Sequence, residues 1–392
     1  MRKGKASLKD RVVAWVGKVA RLTSLLPLFL IVADTMLESL VPASGSASVN
    51  AQDANTHETV LTIPVGEDGV RYSGAGPEIL TWGPAGFTVA PDGSFWIADT
   101  VSNRLLHYSP EGKRLNTINL DAYQVVGAGD LEIAASDIFV LDIAAVIPRI
   151  LRLSPAGELL ASYELPRGLR LENGLSGIAV GDLGEVLVER EGGVFVSMLV
   201  DADGRIALTA LDGYIHRGRP YTARPADLTA ADTTRGYITA GDTHIEVDVT
   251  HSLGGLRLLG VNADDSFYVV VDEVAIASSG IQVDQTVRHY NADGELLGLA
   301  RVPLAEQYTS VAHGLAVGPG GEVYTLITRP NRVEVQRLRF SRELRPILFA
   351  AYAEKSPRSS EDHGSAVLSC VTRDSMMNIA SGYTNNSTVV NP

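Results

Sequence analysis

Between Gly83 and about Ala353 the chain alternates short apolar runs with polar turns, and the runs are too short for helices. One stretch sets the pattern. Phe87-Thr88-Val89-Ala90 leads into the turn Pro91-Asp92-Gly93, and Phe95-Trp96-Ile97-Ala98-Asp99 follows. A polar stretch ending in Asn103-Arg104 then gives way to Leu105-Leu106-His107-Tyr108 and a second turn, Ser109-Pro110-Glu111-Gly112. Apolar and β-branched runs separated by Asp-Gly and Glu-Gly turns predict consecutive antiparallel strands joined by hairpins.

The second turn recurs as Ser154–Gly157, Asp201–Gly204, His251–Gly254, Asn291–Gly294 and Ser341–Leu344. The first recurs as Ala134–Asp137, Val180–Gly184, Ala230–Thr233, Ala263–Ser266 and Val317–Gly321. A strand is expected after each first turn: Phe95–Ala98, Ile138–Leu141, Glu185–Val188, Gly236–Thr239, Phe267–Val271 and Glu322–Leu326. The second turns recur every ~46 residues, within the length of a four-stranded propeller blade. The fifth unit is compressed on its early side, and its boundary with the fourth is the least regular feature of the series. Six such units predict an all-β, six-bladed β-propeller. A single four-stranded sheet exposes two apolar faces, and stacking sheets in a closed ring covers both. The strand-like segment Thr59–Val65 precedes the first full unit and is expected to join the last blade and close the ring.

Residues 59 to about 353 resemble the NHL-repeat propeller family, best at Phe87–Asp99, Asn103-Arg104 and the Ser-Pro-Glu-Gly turn. Related six-bladed rings occur in gluconolactonase-like and paraoxonase-like families. The resemblance implies architecture far more than activity. In the peptide-amidating lyases, which are NHL-type, histidines at the inner blade ends hold zinc, and Val311–Val317 with His313 looks like such a place. The positions aligned with His313 are Ala85, Ala128 and Ser176, which supply no imidazole, so the resemblance implies a histidine lining the channel mouth rather than a zinc ligand. Gluconolactonase-like enzymes arrange acids and amides around an axial divalent ion. Asp99, Asp142, Glu189, Asp242 and Asp272 are each expected to end the second strand of a blade, and that regularity favours tethering of loops, as by Asp99 with Asn103 or Arg104. The candidate ligand-binding residues at the channel mouth are His313, Ser176, Asp99, Asp142 and Asp272. No catalytic or metal-ligating set is assigned. No cofactor is expected, and calcium is the one ion the resemblance leaves open.

Other chemistry is thinly represented. His107, His216, His244, His251, His289 and His363 are scattered, and there is no H-E-x-x-H, G-x-S-x-G or phosphate-loop motif. The formal net charge is −13. The basic front of the chain hides an even more acidic remainder, which argues against nucleic acid as a partner. Cys370 is the only cysteine, so no intrachain disulfide can form.

The two ends differ from the repeats. Met1-Arg2-Lys3-Gly4-Lys5, an apolar run over Leu22–Ala33, and small residues up to Val49-Asn50-Ala51 have the order of a secretory signal cut after Ala51. Residues 1–51 are therefore read as a signal peptide, residues 52–353 as the propeller, and residues 354–392 as a polar linker with a short C-terminal helix over about Thr372–Tyr383. That tail faintly resembles the opening helix of NlpC-like cell-wall amidases, which would make the propeller an attachment to, or regulator of, such an enzyme. The leading expectation is a secreted or extracytoplasmic, monomeric, non-catalytic binding or scaffolding module. Its ligand, a protein, glycan or small molecule, would sit on the loop face or over the central channel, with no membrane attachment after cleavage. The alternative is a metal-dependent hydrolase or lyase of the lactonase type.

Overall fold

The computed structural model describes residues 57–74, 81–227, 233–277 and 280–343. The signal peptide, the linker and the C-terminal helix read from the sequence lie outside these residues. The chain divides into a unit of residues 1–351 and a second of residues 352–392, and only the first contains described residues.

Alternation decides the architecture. Phe95 and Ile97 pack into one buried layer and their neighbours Trp96 and Ala98 into another, because successive strand side chains point to opposite faces. A strand apolar on both faces needs cover on both, and six four-stranded antiparallel sheets supply it. Blade 1 holds β2 (Gly86–Val89), β3 (Phe95–Asp99), β4 (Arg104–Tyr108) and β5 (Arg114–Asn119). Blade 2 holds β6 (Ala128–Ala134), β7 (Asp137–Asp142), β8 (Arg149–Leu153) and β9 (Leu159–Glu164). Blade 3 holds β10 (Leu175–Val180), β11 (Val186–Arg190), β12 (Phe195–Val200) and β13 (Ile206–Leu211). Blade 4 holds β14 (Tyr214–His216), β15 (Arg219–Pro225), β16 (Arg235–Ala240) and β17 (Thr243–Asp248). Blade 5 holds β18 (Ser252–Val261), β19 (Phe267–Ala277), β20 (Gly280–Tyr290) and β21 (Leu296–Arg301). Blade 6 takes β22 (Leu315–Val317), β23 (Val323–Thr328) and β24 (Arg332–Leu338) from the end of the chain and its outermost strand, β1 (His57–Pro64), from the beginning.

The expected closure by residues 59–65 is therefore present. β1 pairs antiparallel with β24 and buries Leu61 and Ile63 against blade 1. Among the described residues, five buried apolar layers lie between adjacent blades: 6 and 1, 1 and 2, 2 and 3, 4 and 5, and 5 and 6. Blades 3 and 4 also meet through polar contacts, with Asp182 accepting from the Arg217 amide at 2.7 Å and lying 2.9 Å from His216 Nδ1. The turn between third and fourth strands repeats for a backbone reason. Gly112, Gly157, Gly204 and Gly294 hold φ of +82°, +90°, +80° and +86°, a region glycine enters without steric cost.

The fourth unit corrects the sequence reading. Gly236–Thr239 lies in the third strand of blade 4, not the second, and of the first turn read at Ala230–Thr233 only Thr233 is among the described residues. The first two strands are β14 and β15, joined through Arg217-Gly218, and the last two meet at Gly241-Asp242. His251–Gly254 runs into β18 and opens blade 5. Blade 4 is built with short two-residue turns lacking the Asp-Gly signature, while blade 5 has strands of 10 and 11 residues, so the period lengthens there. Asp242 sits in a turn rather than at the end of a second strand. Ser341–Glu343, the described part of the turn read at Ser341–Leu344, does not lead into a fourth strand, since blade 6 takes that strand from β1. Ser341 instead pairs with Leu299 of β21, through bonds of 2.7 and 2.9 Å.

Candidate functional site at the propeller axis

In each blade the first strand lies innermost, so residues at the start of β2, β6, β10, β14, β18 and β22 surround one end of the axis. A bulge near that end recurs, between Ala128 and Asp130, between Leu175 and Gly177, and between Leu253 and Gly255. The bulge sets the phase of everything beyond it. Just past it stand Asp130, Gly177 and Gly255, and the parallel bridge between Gly86 and His313 puts those two at a shared level.

The phase separates two kinds of acid that the sequence reading grouped together. Asp99 and Asp142 stand at the last position of the second strand and are fully buried. Asp99 accepts from the Arg71 amide at 3.0 Å and from Arg104 Nε at 2.8 Å. Asp142 accepts from the Val126 and Gly127 amides at 3.0 and 3.2 Å and from Arg149 Nε at 3.2 Å. Both clamp the loop that enters from the preceding blade. Burial raises the Asp142 pKa despite these bonds. Thr328, ending β23, does the same work for blade 6 by accepting from the Tyr308 and Thr309 amides. Glu189 and Asp272 sit one residue out of this phase, opposite Gly177 and Gly255. With no side chain on those glycines, the acids reach past the inner strand toward the axis. A Cβ on Gly177 would lie 2.9 Å from Glu189 Oε2, and one on Gly255 would lie 2.6 Å from Asp272 Oδ2.

His313 joins them from the opposite side of the ring. Its backbone pairs with blade 1, the His313 amide donating to the Ala85 carbonyl at 2.9 Å. Its Nε2 lies 2.8 Å from the Ser176 carbonyl oxygen of blade 3. Blades 3 and 6 face each other across a six-membered ring, so the imidazole bridges the axis. A carbonyl only accepts, so Nε2 carries the proton. Burial lowers the His313 pKa, which keeps the ring neutral at pH 7. Nδ1 then points its lone pair toward Asp130 Oδ1, 3.4 Å away.

Asp130 is held by two amides, its own neighbour Leu131 at 2.9 Å and Ile178 of blade 3 at 2.9 Å. Burial, followed by the charge of Glu189, pushes its pKa well above the usual carboxylate range. Glu132, two residues further along β6, is pushed the same way by burial and by Asp130, while Thr88 of blade 1 donates to it at 3.3 Å. Tyr214 of blade 4 donates its hydroxyl to Glu189 Oε1 at 2.6 Å, and burial beside that carboxylate raises the phenol pKa. Asp272 accepts from Gln285 at 2.7 Å, and burial raises its pKa. Ser176 contributes its carbonyl to His313 and its hydroxyl to the Gly192 amide at 3.0 Å. Of the five residues proposed from sequence, the structure brings His313 and Ser176 together across the ring, sets Asp272 against Gly255 on the inner strand of blade 5, and places Asp99 and Asp142 in the loop clamps. Asp130, Glu132, Tyr214 and Arg257 were not singled out. The sequence signal was a glycine, Gly177 or Gly255, at the inner end of a blade; the bulge that sets it opposite an acid is seen only in the structure.

Calcium takes six to eight oxygens, and the carboxylates here already accept hydrogen bonds: both Asp130 oxygens from amides, Glu189 Oε1 from Tyr214 and Asp272 Oδ1 from Gln285. Among the described residues no group of three or more His, Cys, Asp or Glu side chains is placed to hold a metal ion, and no helix is long and apolar enough to cross a membrane.

No protein-family model matches the chain, and no curated protein matches it. Solved structures do resemble it. A virginiamycin B lyase from Staphylococcus aureus is 16% identical, covering 65% of this chain and 95% of its own, with a TM-score of 0.39. A member of the DUF4221 family from Bacteroides vulgatus is 12% identical over 74% of this chain and 99% of its own, TM-score 0.43. A calcium-binding protein, regucalcin, from Agrobacterium tumefaciens is 14% identical over 65% and 91%, TM-score 0.34.

Proposed function

We propose that this chain is an exported, non-catalytic binding propeller of NHL-like repeat type whose ligand seats at the axial mouth, over His313, Ser176 and Asp272, with Glu189 and Asp130 beside them. The observation that carries this reading is the convergence of side chains from blades 2, 3 and 6 on one spot at the axis. Asp130, Glu189 and His313 all come within 3.0 Å of the point where a Gly177 methyl would stand. Residues far apart in sequence meet there, next to free acceptor oxygens, while the Asp99 and Asp142 clamps hold the surrounding loops. Rigid strands bearing a few convergent polar groups are the ordinary build of a small-ligand site. His313 reaches across the ring to Ser176, so a ligand at the mouth meets its imidazole.

The test is elemental analysis of the purified protein combined with thermal unfolding, with and without a chelator. The expected result is less than stoichiometric calcium and zinc and a melting temperature that the chelator leaves unchanged. Stoichiometric metal, removed by chelation with loss of stability at the axial mouth, would replace this reading with that of a metal-dependent hydrolase or lyase.

A further inference from the structure

Arg257 stands on the innermost strand of blade 5, two residues beyond Gly255. Leu256 and Leu258 turn into the apolar layer shared with blade 4, which leaves Arg257 on the opposite face with Gly255. That is the face on which Asp272 Oδ2 lies close to Gly255. The guanidinium charge acts on Asp130, Tyr214, Asp272 and His313, which belong to blades 2, 4, 5 and 6. A charge felt from four blades is at the axis. Yet none of the ion pairs or hydrogen bonds among the described residues uses Arg257.

A guanidinium near carboxylates but paired with none of them keeps its donors on water: Arg257 is only half-buried, and none of its nitrogens is among the buried unpaired atoms. The neighbouring acids explain it. Asp130 is spent on two amides, Glu189 on Tyr214 and Asp272 on Gln285, so each is oriented by another partner. One oxygen each, Glu189 Oε2 beside Gly177 and Asp272 Oδ2 beside Gly255, stays clear of these bonds.

From this we infer that the axial mouth takes a small zwitterion, a molecule carrying a carboxylate and an ammonium group. Arg257 receives the carboxylate through its planar fork of donors, and Glu189 Oε2 and Asp272 Oδ2 receive the ammonium. The inference rests on the axial-mouth reading above and adds the ligand class. Guanidinium suits carboxylate because two parallel N–H bonds can form at once. The fully bonded Asp130 sets one wall, and the neutral His313 forms the floor.

Isothermal titration of the purified protein with a short series of probes tests this: glycine, β-alanine and γ-aminobutyrate, against propionate and propylamine. At least one amino acid is expected to bind ten-fold or more tightly than either single-charge probe. Arg257→Met should abolish binding of the amino acid while sparing propylamine, and Glu189→Gln should weaken propylamine and the amino acid alike. Circular dichroism of each variant establishes that it is folded, and Arg257→Lys, which keeps the charge but loses the fork, should fall between wild type and Arg257→Met. Amino acids binding no better than propylamine would overturn the zwitterion inference and leave the axial-mouth reading standing. No probe binding at 10 mM, or binding unchanged in both variants, would overturn the inference as well; unchanged binding would further place the ligand away from the axis.

Discussion

Adding a single methyl group at Gly177 perturbs the axial site without touching the rest of the ring. Gly177 has no positive φ, so alanine fits its backbone. What alanine does not fit is the space. Its Cβ would meet His313 Cε1 at 2.6 Å, Glu189 Oε2 at 2.9 Å and Asp130 Oδ2 at 3.0 Å. All three are ends of side chains and can move, so the cost is that of overpacking, about 1–3 kcal/mol. A displaced Asp130 would also loosen its bond to the Ile178 amide, which adds up to about 1–3 kcal/mol if that amide is left unsatisfied. At about 2–4 °C per kcal/mol for a large domain, the melting temperature should fall by several degrees. Gly168→Ala is the control: nothing lies within 4 Å of that Cβ, and it too has no positive φ, so it should change stability by less than about 0.5 kcal/mol. Urea unfolding of both variants gives the two free energies, and ligand titration reads the site. If Gly177→Ala matches Gly168→Ala in stability and still binds ligand as wild type does, the three side chains do not converge there and the site reasoning fails.

Three further outcomes follow from the same geometry. Asp142→Ala should cost about 1–3 kcal/mol, since it leaves two amides without their acceptor, whereas Asp242→Ala in its exposed turn should stay within about 0.5 kcal/mol; equal effects in denaturant titrations would remove the clamp. Ile63→Ala, at a fully buried position of the closing strand, should cost about 2–5 kcal/mol by urea unfolding, and a neutral result would mean that the ring does not depend on β1. Asp130 and Glu132 have folded-state pKa values raised well above the unfolded ones, so they favour the folded state below their unfolded values and this contribution is lost as pH rises through the folded ones. Asp130→Asn with Glu132→Gln should therefore flatten the decline of stability between acid and neutral pH, and an unchanged slope in unfolding experiments across that range would contradict their burial.

The ring was readable from sequence because its signals are local. An Asp-Gly turn needs only its own residues, and Gly112, Gly157, Gly204 and Gly294 mark the same turn in four blades by the same positive φ. The closing strand was readable because an unpaired alternating segment at one end must pair somewhere. Blade 4 was misplaced because its turns at Arg217-Gly218 and Gly241-Asp242 replace that chemistry with other two-residue solutions, and His251–Gly254 mimics a turn while opening β18.

The axial site depends on a different kind of information, and that explains which of its residues were found. Ser176 and His313 were reached by position, since both lie at the inner ends of blades. Asp272 was grouped with Asp99 and Asp142 because all three stand near the end of a second strand, but strand faces alternate with every residue, and one step separates a loop clamp from a channel wall. In blade 5 the two roles stand side by side: Glu273 accepts from the His251 amide at 2.8 Å, whereas Asp272 turns toward Gly255. Only the register against the inner strand, fixed by the bulge before Gly255, distinguishes them. The same offset relates Glu189 to Gly177. A function written into register is carried by glycines as much as by acids: each acid reaches the axis only because the residue opposite has no side chain to block it.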